Sequence, residues 1–275
     1  MCKVLGVSRS GYYRWLKNAQ KELVFYKDLD QKIEYSFEQS RSNYGSPRIA
    51  QDLAKSGCIV SKSTVARRMK VLKIRARRRR KYVVTTDSKH DQPVATNILN
   101  RDFKAKKLAQ KWVSDLTYFK IGKHWCYLSI IIDLADRAVV GWSISDNMTA
   151  QHTTVDTFKK AIKNRKPMPG MIFHSDRGIQ YACRDFRDLL DYNKCIQSMS
   201  RKGNCWDNAV AESFFKTIKT ECIDKYEFVN QAQAYSVIFD YIDGWYNTKR
   251  IHSTLGGRSP AEMFNLLKCN RRDLI

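Results

Sequence analysis

The chain has 275 residues, with 50 Lys and Arg against 27 Asp and Glu and a formal net charge of +23 at pH 7. Hydrophobic residues make up 43% of it and aromatic residues 12%, which is enough to bury a core and excludes disorder throughout. The longest apolar run, around 127–132, is far shorter than the roughly 20 residues that a membrane helix needs, so a transmembrane protein is excluded. The strong positive charge indicates a polyanionic partner, with nucleic acid the first candidate.

The cysteines and the N-terminus indicate where the chain works. Eight cysteines are scattered along it without a C-x-x-C pair, which argues against a zinc site and against a disulfide scaffold. Residues 1–6 contain no apolar run of signal-peptide length. We therefore expect a cytoplasmic protein with reduced thiols and no membrane partner.

Residues 1–85 form a strongly basic front segment with a net charge of +15. Two apolar stripes with helical spacing follow a turn at 44–47, and Gly57 separates them. Ser61 and Ser63 are candidate N-caps for the second helix. The stripes consist of Ile49 and Leu53, then Val65, Met69 and Leu72.

Arg67, Arg68 and Lys70 fall off the second stripe, so the second helix has a basic outer face. Two short helices joined by a glycine-bearing turn are typical of a helix-turn-helix, and we predict a DNA-binding region over 19–82. A plain helical hairpin with a solvated charged face is the alternative. A basic run at 75–81 closes this region and is expected to attract phosphates without reading sequence. The phosphate contacts predicted in this run are Arg77, Arg78, Arg79 and Arg80.

A second, incomplete helix-turn-helix pattern occupies residues 1–18. A turn at Gly6 leads into a predicted helix that contains Tyr12, Tyr13 and Trp15. Only five residues precede Gly6, too few for a stable partner helix. We therefore expect the upstream helix to lie in a different chain.

From residue 106 the pattern changes to that of a mixed α/β core, after a predicted linker at 83–105 that has no clear period. Three β-branched and aromatic runs predict consecutive strands, after which strands alternate with helices. The core is predicted over 106–225, with a C-terminal helical segment over 226–275 that completes it. The predicted strands are 112–119, 125–133, 138–144, 171–173 and 196–199, and the predicted helices are 153–162, 186–190, 207–220 and 232–246.

Three acids in this core are candidates for holding a hard cation. Asp115 lies within the first strand, where an unpaired carboxylate is costly, and Asp176 follows a short strand, at the end where α/β sheets place ligands. Glu212 lies on the helix that comes next. Carboxylates from separate elements suit Mg²⁺, and two such ions can drive phosphodiester chemistry. Asp133, which ends the second strand, is the main rival to Asp115 as a ligand, and a structural turn is its alternative role.

Long motifs surround these acids. Two front motifs, YGSPRI (44–49) and VSKSTVARRMK (60–70), accompany four core motifs: WVSDLTY (112–118), FHSDRGIQY (173–181), SMSRKGNCWDNAVAESFFKTIKTE (198–221) and YNTKRIHSTLGGRSPAEMF (246–264). Together they resemble the DDE transposases and retroviral-type integrases, and in particular the insertion-sequence transposases encoded by two overlapping reading frames. The resemblance covers nearly the whole chain. The segment KLAQKW (107–112) departs from it, because family members more often have a Pro-Asn pair there.

The resemblance implies a fold, a site and a reaction. The implied fold is an α/β RNase H-like mixed sheet core with an N-terminal all-α helix-turn-helix region. The implied site is a metal-binding catalytic set of Asp115, Asp176 and Glu212 with two Mg²⁺ ions, for which Mn²⁺ can substitute. The implied reaction is cleavage at the ends of a mobile element and joining of a 3′-hydroxyl to a target strand. A catalytically inactive DNA-binding regulator, and an RNase H-like nuclease that cuts without joining, remain as alternatives.

The resemblance also implies partners. They are double-stranded DNA, both as terminal inverted repeats and as target, and further copies of the chain, in a dimer or larger assembly on DNA. A fusion with a DNA-binding protein from the upstream frame is a further expectation. In a bacterial cytoplasm, the protein is expected on the nucleoid when it is bound to DNA.

Basic residues near Glu212 are predicted to hold DNA. Lys216 and Lys219 share its helix face and are expected to bind phosphates, with solvated surface lysines as the alternative. A basic loop precedes that helix. The DNA contacts predicted in this loop are Arg201, Lys202 and Asn204.

The remaining candidates have less specific signals. His174 points the same way as the acid two residues later and is expected either to assist the metal or scissile phosphate, or to be a hydrogen-bonded strand-end histidine. Trp206 is expected to pack in the core, and Asp207 to cap the helix. Arg250 and His252 are expected either to brace the C-terminal helix or to contact DNA.

Overall fold

The structure is a computed structural model that describes residues 2, 4, 6–76 and 92–269. The chain divides into two units, residues 1–77 and 78–275. The phosphate contacts predicted at Arg77, Arg78, Arg79 and Arg80 lie outside the described residues. The first unit contains three helices: α1 (Arg9–Gln39), α2 (Ser46–Lys55) and α3 (Lys62–Val71).

Helix α1 is longer than the sequence pattern predicts. Its 31 residues run without interruption through the predicted boundary between residues 18 and 19. The segment 12–39 contains no Gly or Pro, so nothing in the backbone chemistry ends the helix there. The aromatic helix predicted within 1–18 is therefore the start of α1.

Helices α2 and α3 form the predicted helical pair. Ser61 caps α3, since its Oγ accepts a hydrogen bond from the Thr64 N–H at 3.1 Å. Helix α1 packs on both helices. The stripe residues Ile49, Leu53, Val65 and Met69 are buried, as predicted, together with Leu29 and Ile33 of α1.

The second unit is built on one mixed sheet with strand order β3-β2-β1-β4-β5. Strands β1, β2 and β3 are antiparallel neighbours, whereas β4 is parallel to β1 and β5 is parallel to β4. Three strands in succession followed by strand–helix alternation is the predicted order. The strands are β1 (Lys111–Ile121), β2 (His124–Asp133), β3 (Val139–Ser145), β4 (Ile172–Ser175) and β5 (Ile196–Met199).

Helices complete this unit. A π-helical turn, Gln151–Val155, leads into helix α4, and another, Asp240–Tyr246, follows helix α8. The periodicity of the sequence alone does not predict these two turns. The helices are α4 (Asp156–Asn164), α5 (Ile179–Ala182), α6 (Arg184–Tyr192), α7 (Ala209–Glu221), α8 (Gln231–Phe239) and α9 (Pro260–Cys269). None of the described helices has the length and apolar character that crossing a bilayer requires.

An aromatic cluster fixes β1 and β4 against the helices. The Phe158 ring of α4 lies 6.1 Å from the Trp112 ring of β1 and 5.5 Å from the Phe173 ring of β4, and both contacts are edge-on. Phe186 of α6 joins them at 5.3 Å from Phe173. All four side chains are fully buried. The first half of β1, which carries Asp115, is therefore held on a rigid layer.

The second half of the predicted linker, residues 92–105, packs on the core. Leu99 is only 1% exposed. The N–H groups of Ile98 and Leu99 donate to the Ser198 Oγ of β5 at 2.9 and 3.1 Å. This segment is consequently part of the core unit.

A buried ion pair joins the end of α7 to the C-terminal segment. The Arg250 guanidinium donates to both carboxylate oxygens of Glu221 at 2.7 and 2.8 Å, and the Tyr241 hydroxyl donates to the same carboxylate at 2.8 Å. Arg250 is 3% exposed and Glu221 is 8% exposed. Of the two roles predicted for Arg250, the contacts support bracing.

Removing one partner of this pair leaves a buried charge without compensation. We expect Arg250→Ala to lower the free energy of unfolding of the core by about 3–5 kcal/mol. The double variant Arg250→Met with Glu221→Leu should lose less of its free energy of unfolding, because neither partner then remains as a buried charge without its counter-ion. Urea denaturation of both variants checks this, and equal losses would contradict it.

Candidate active site

Strand register brings two of the predicted acids level with each other. Strands β1 and β4 pair in parallel, with Val113 opposite His174. Continuing this register by two residues sets Asp115 beside Asp176, directly after β4 ends. Neighbouring strands lie about 4.8 Å apart. The two carboxylates therefore start from adjacent backbone positions at the carboxyl end of a parallel strand pair.

The loop after β4 holds Asp176 in place. Its Oδ1 accepts a hydrogen bond from the Gly178 N–H at 2.9 Å. A Cβ on Gly178 would lie 3.0 Å from this Oδ1 and 3.0 Å from the Gln180 Oε1. The glycine thus lets the backbone approach the carboxylate closely.

Helix α7 brings the third acid to this edge. Just before the helix, the Asn208 side chain donates to the Ser114 carbonyl oxygen at 2.9 Å, which ties the start of α7 to the residue before Asp115. Glu212 lies one turn further along. Its side chain is 19% exposed, and the Lys216 Nζ lies 3.7 Å from its Oε2.

The three acids act on one another electrostatically. Burial raises the pKa of Asp115 well above its usual range, and the charges of Asp176 and Glu212 raise it further. Hydrogen bonding by the Leu116 N–H and the charge of Lys219 oppose that rise. Burial also raises the pKa of Glu212, against the opposing effect of Lys216. Charges that repel one another in a half-buried site favour taking up a proton or a cation.

The donor set fits a hard divalent cation, although the side chains do not enclose one. Across 6–76 and 92–269, no three His, Cys, Asp or Glu side chains already form a metal-holding group. The three acids nevertheless supply only carboxylate oxygens, which Mg²⁺ prefers, from a site whose charges repel one another. Small side-chain rotations toward a bound cation are consistent with this arrangement.

Two lysines of α7 lie on the side of the acids, as predicted. Lys219 is attracted by Asp115, and its Nζ lies 5.1 Å from the centre of the Tyr118 ring. Burial lowers the pKa of Lys219, which the charges of Asp224 and Asp115 oppose. Lys216 is about half-exposed and pairs with Glu212.

The basic loop before α7 is organised by a buried carboxylate. Asp207 accepts three hydrogen bonds from Arg201 and one from the Arg101 Nε at 2.8 Å. Arg101 also donates to the Asn204 side chain at 2.9 Å. Arg201 and Asn204 therefore have partners within the chain, whereas the backbone turns Lys202 outward and exposes it.

Two predictions at this loop are wrong. Asp207 does not cap α7, because its carboxylate is used by Arg201 and Arg101; these contacts hold its pKa far below its ordinary value. Trp206 does not pack in the core, since it is 69% exposed on the short 3₁₀ turn before α7. The contact between Arg101 and Asp207 could not be predicted from the sequence, because the two residues lie more than a hundred positions apart along the chain.

His174 is bonded at both ring nitrogens. Its Nδ1 lies 2.9 Å from the Ser198 Oγ, and its Nε2 lies 3.2 Å from the Ser200 Oγ. The side chain is fully buried, and burial lowers its pKa to about 4. These contacts support the strand-end histidine of the two predicted roles.

Asp133 has a structural position. Its buried carboxylate accepts hydrogen bonds from the Ala109 N–H at 2.6 Å, the Trp112 indole at 3.2 Å and the Arg165 guanidinium at 2.7 Å. These three donors all reach Oδ2, and the Ala135 N–H donates to Oδ1 at 2.9 Å, so both oxygens that a metal would need are already hydrogen-bonded. The structural alternative for Asp133 is therefore the one that its contacts support.

The basic residues of α3 separate into two kinds. Arg67 and Lys70 are exposed. Arg68 instead pairs with Asp30 of α1, and its guanidinium lies 4.9 Å from the Tyr26 ring centre.

In the C-terminal segment, the His252 ring packs edge-on against Tyr246 at 4.9 Å.

Family models match most of this chain. A model described as an integrase core domain matches residues 105–205, and a second integrase core model matches 193–260. A model described as an HTH-like domain matches residues 26–82.

Curated relatives match over nearly their full length. A 31 kDa protein of insertion element IS600 from Shigella sonnei, described as uncharacterized, is 40% identical over 265 residues, which are 95% of this chain and 96% of that protein. Transposase InsF of insertion sequence IS3A from Escherichia coli K12 is 38% identical over 268 residues, which are 96% of this chain and 93% of that protein.

Viral integrases are among the solved structures that this chain matches. The HTLV-2 integrase catalytic core in complex with magnesium is 17% identical, with a TM-score of 0.45 over 57% of this chain and 97% of that chain. A simian T-cell lymphotropic virus intasome in complex with PP2A regulatory subunit B56 gamma is 13% identical, with a TM-score of 0.49 over 78% of this chain and 69% of that chain.

The buried histidine gives this region a pH dependence. In the folded chain the pKa of His174 falls from 6.5 to about 4, so only the unfolded chain takes up this proton between those values. Stability from this group is present above pH 6.5 and falls by about 3 kcal/mol as the pH drops toward 4. Urea denaturation in EDTA measures the free energy of unfolding at each pH. Between pH 6.5 and 4 this free energy should change less steeply with pH in His174→Gln than in the wild type, and an equally steep change would contradict the prediction.

Proposed function

Because the chain belongs to the insertion-sequence transposases with an integrase core, we propose that Asp115, Asp176 and Glu212 are its catalytic, metal-holding residues. The observation that supports this assignment is that the charges of Asp176 and Glu212 both raise the pKa of Asp115. The parallel pairing of β1 with β4 agrees with it, because the last pair, Val113 and His174, lies two residues before each aspartate. The family model covers the first two acids, and the second integrase core model covers the third.

The proposed cofactor is Mg²⁺, as two ions, with Mn²⁺ as a substitute. When bound, the ions would activate the attacking oxygen and stabilise the leaving 3′-oxygen of a phosphodiester. Asp115 of β1, Asp176 just after β4 and Glu212 of α7 would hold the ions through their carboxylate oxygens. The charge repulsion that raises the pKa of Asp115 is relieved in that state.

The reaction proposed for the site is phosphoryl transfer on DNA. In cleavage, a water oxygen forms the new bond to phosphorus and the bond to the 3′-oxygen breaks. In joining, the freed 3′-hydroxyl loses its proton and its oxygen forms a bond to a target phosphorus. The bond between that phosphorus and the target strand's 3′-oxygen breaks, and the released 3′-oxygen takes up a proton. Lys216 and Lys219 are placed to bind phosphates beside the acids, which lowers the charge repulsion between DNA and carboxylates.

The DNA contacts and assembly follow from the same family. Arg67 and Lys70 of α3, with the run at 77–80, are proposed to bind DNA phosphates, and Arg201, Lys202 and Asn204 to contact DNA near the cut. Two element ends have to meet at one target, so we propose a dimer or larger assembly on DNA, acting on the nucleoid in the cytoplasm. A fusion with an upstream-frame protein belongs to the same proposal.

Neutral replacements of the acids test the site. We expect Asp115→Asn, Asp176→Asn and Glu212→Gln each to reduce cleavage and joining of element-end DNA by about a hundredfold to a thousandfold or more. DNA binding without metal should be retained, because no phosphate contact is removed. Gel analysis of cleaved and joined products in Mg²⁺ measures both steps.

Asp188→Asn, an exposed carboxylate on α6, is the matched control and should keep full activity. Full activity in any of the three site variants would refute the assignment. A wild-type protein that cuts but never joins would identify the nuclease alternative, and one that binds but never cuts would identify the regulator.

The basic face of α3 makes a separate prediction. If Arg67 and Lys70 each neutralise one phosphate, replacing either by Ala lowers the slope of log affinity against log salt by about 0.9. Arg68→Ala should leave the slope unchanged but reduce the thermal stability of the N-terminal unit, because Arg68 pairs with Asp30. Fluorescence anisotropy with a random-sequence duplex measures the slopes. Arg67→Ala and Lys70→Ala variants with the same slope as the wild type would contradict phosphate binding by α3.

A further inference from the structure

One face of the β1–β2 hairpin remains open to solvent. Along the hairpin, Tyr118 lies opposite Tyr127, and Lys120 lies opposite Trp125, so these side chains share a face. Trp125 is 49% exposed. A large aromatic ring on an open strand face of a strongly basic protein is available to a ligand.

Four side chains form a continuous ladder on this face. The Lys219 Nζ lies 5.1 Å from the Tyr118 ring centre, and the Tyr118 and Trp125 rings lie 5.0 Å apart at an angle of 85°. The Lys120 Nζ lies 5.0 Å from the Trp125 ring centre. The ladder, Lys219–Tyr118–Trp125–Lys120, therefore has a cation at each end and two aromatic rings between them.

Lys219 joins the ladder to the candidate active site. It lies on α7, seven residues after Glu212, and is attracted by Asp115 while it contacts the Tyr118 ring. The first cation of the ladder is thus beside the acids. The other three members lead away from them along the hairpin.

The core does not need the outer ladder residues. On the opposite face of the same hairpin, Phe119, Ile121 and Cys126 are buried. Phe119 packs edge-on against Phe228 at 5.7 Å, and the Gly122 N–H donates to the Phe228 carbonyl oxygen at 2.8 Å. The hairpin is therefore anchored by its other face, which leaves Trp125 available for binding.

We propose that the ladder binds an unpaired DNA strand where it leaves the active site, with the rings stacking on bases and the lysines binding phosphates. Aromatic rings flanked by cations suit unpaired strands, because exposed rings can stack on bases that a duplex keeps stacked on each other. The contact of Lys120 with Trp125 is weak at an exposed position, so the lysine can move to a phosphate. The proposal rests on the proposed function, since it takes the acids as the place where the strand is cut.

Binding without metal tests the ladder separately from catalysis. We would measure fluorescence anisotropy in EDTA with two labelled duplexes, one fully paired and one with an unpaired tip of about six nucleotides. Trp125→Ala should weaken binding of the tipped duplex about tenfold and leave binding of the paired duplex unchanged. Trp125→Phe should keep most of the preference, because it keeps a stacking ring. Circular dichroism melting checks that both variants fold.

Tyr192→Ala is the matched control, since Tyr192 is an 86% exposed aromatic residue on α6. It should bind both duplexes like the wild type. The ladder is refuted if Trp125→Ala binds the tipped duplex normally, or if the variant weakens binding of both duplexes equally. A third duplex with an RNA tip is measured in the same way, and a larger loss of affinity for the RNA tip than for the DNA tip would also refute the ladder.

Cleavage in Mg²⁺ separates the two proposals. A protein that cuts element ends, but whose Trp125→Ala variant binds the tipped duplex normally, refutes the ladder and leaves the proposed function standing. A protein that binds the tip through Trp125 but never cuts refutes the proposed function and leaves the ladder as a binding site for unpaired DNA.

Discussion

Repulsion among three half-buried carboxylates is the constraint on which this transposase core depends. Burial raises the pKa of Asp115, and the charges of Asp176 and Glu212 raise it further, so the Asp115 carboxylate is hard to ionise. A fold that only had to be stable would separate such groups or pair each with an arginine, as happens at Asp133 and Asp207. Binding of a cation and a phosphate would explain why three acids lie close together in this core.

The rest of the core holds these acids together against that repulsion. The aromatic cluster around Phe158 fixes β1 and β4, and their register sets the two aspartates level. Asn208 ties the start of α7 to β1, while the buried pair of Glu221 and Arg250 anchors its far end. Glu212 is thus held from both ends of its helix. Basic residues and open rings border the site where a DNA strand would enter or leave.

The sequence alone identifies the three acids as candidates, and their joint role stays a prediction, whereas several contacts around them could not be predicted. Each acid lies in a local pattern, a strand centre, a strand end or an apolar helix, and long motifs single out the three. Contacts that depend on distant partners were not predictable: Asp207 resembles a helix cap until Arg101 and Arg201 are placed beside it. Trp206 is a large aromatic residue of the kind that usually packs in a core, but it lies on the 3₁₀ turn before α7 and is exposed. The unbroken helix α1 and the π-helical turns likewise depend on packing.

Anomalous diffraction from crystals of the protein soaked in Mn²⁺ tests most directly whether the three acids share a metal. Mn²⁺ is bound through carboxylate oxygens and can be located by its own scattering. We predict a peak at about 2.2 Å from oxygens of Asp115 and Asp176, with Glu212 turned toward the same site. Peaks that involve none of the three, or that involve Asp133 in place of Asp115, would contradict the convergence on which the catalytic assignment depends.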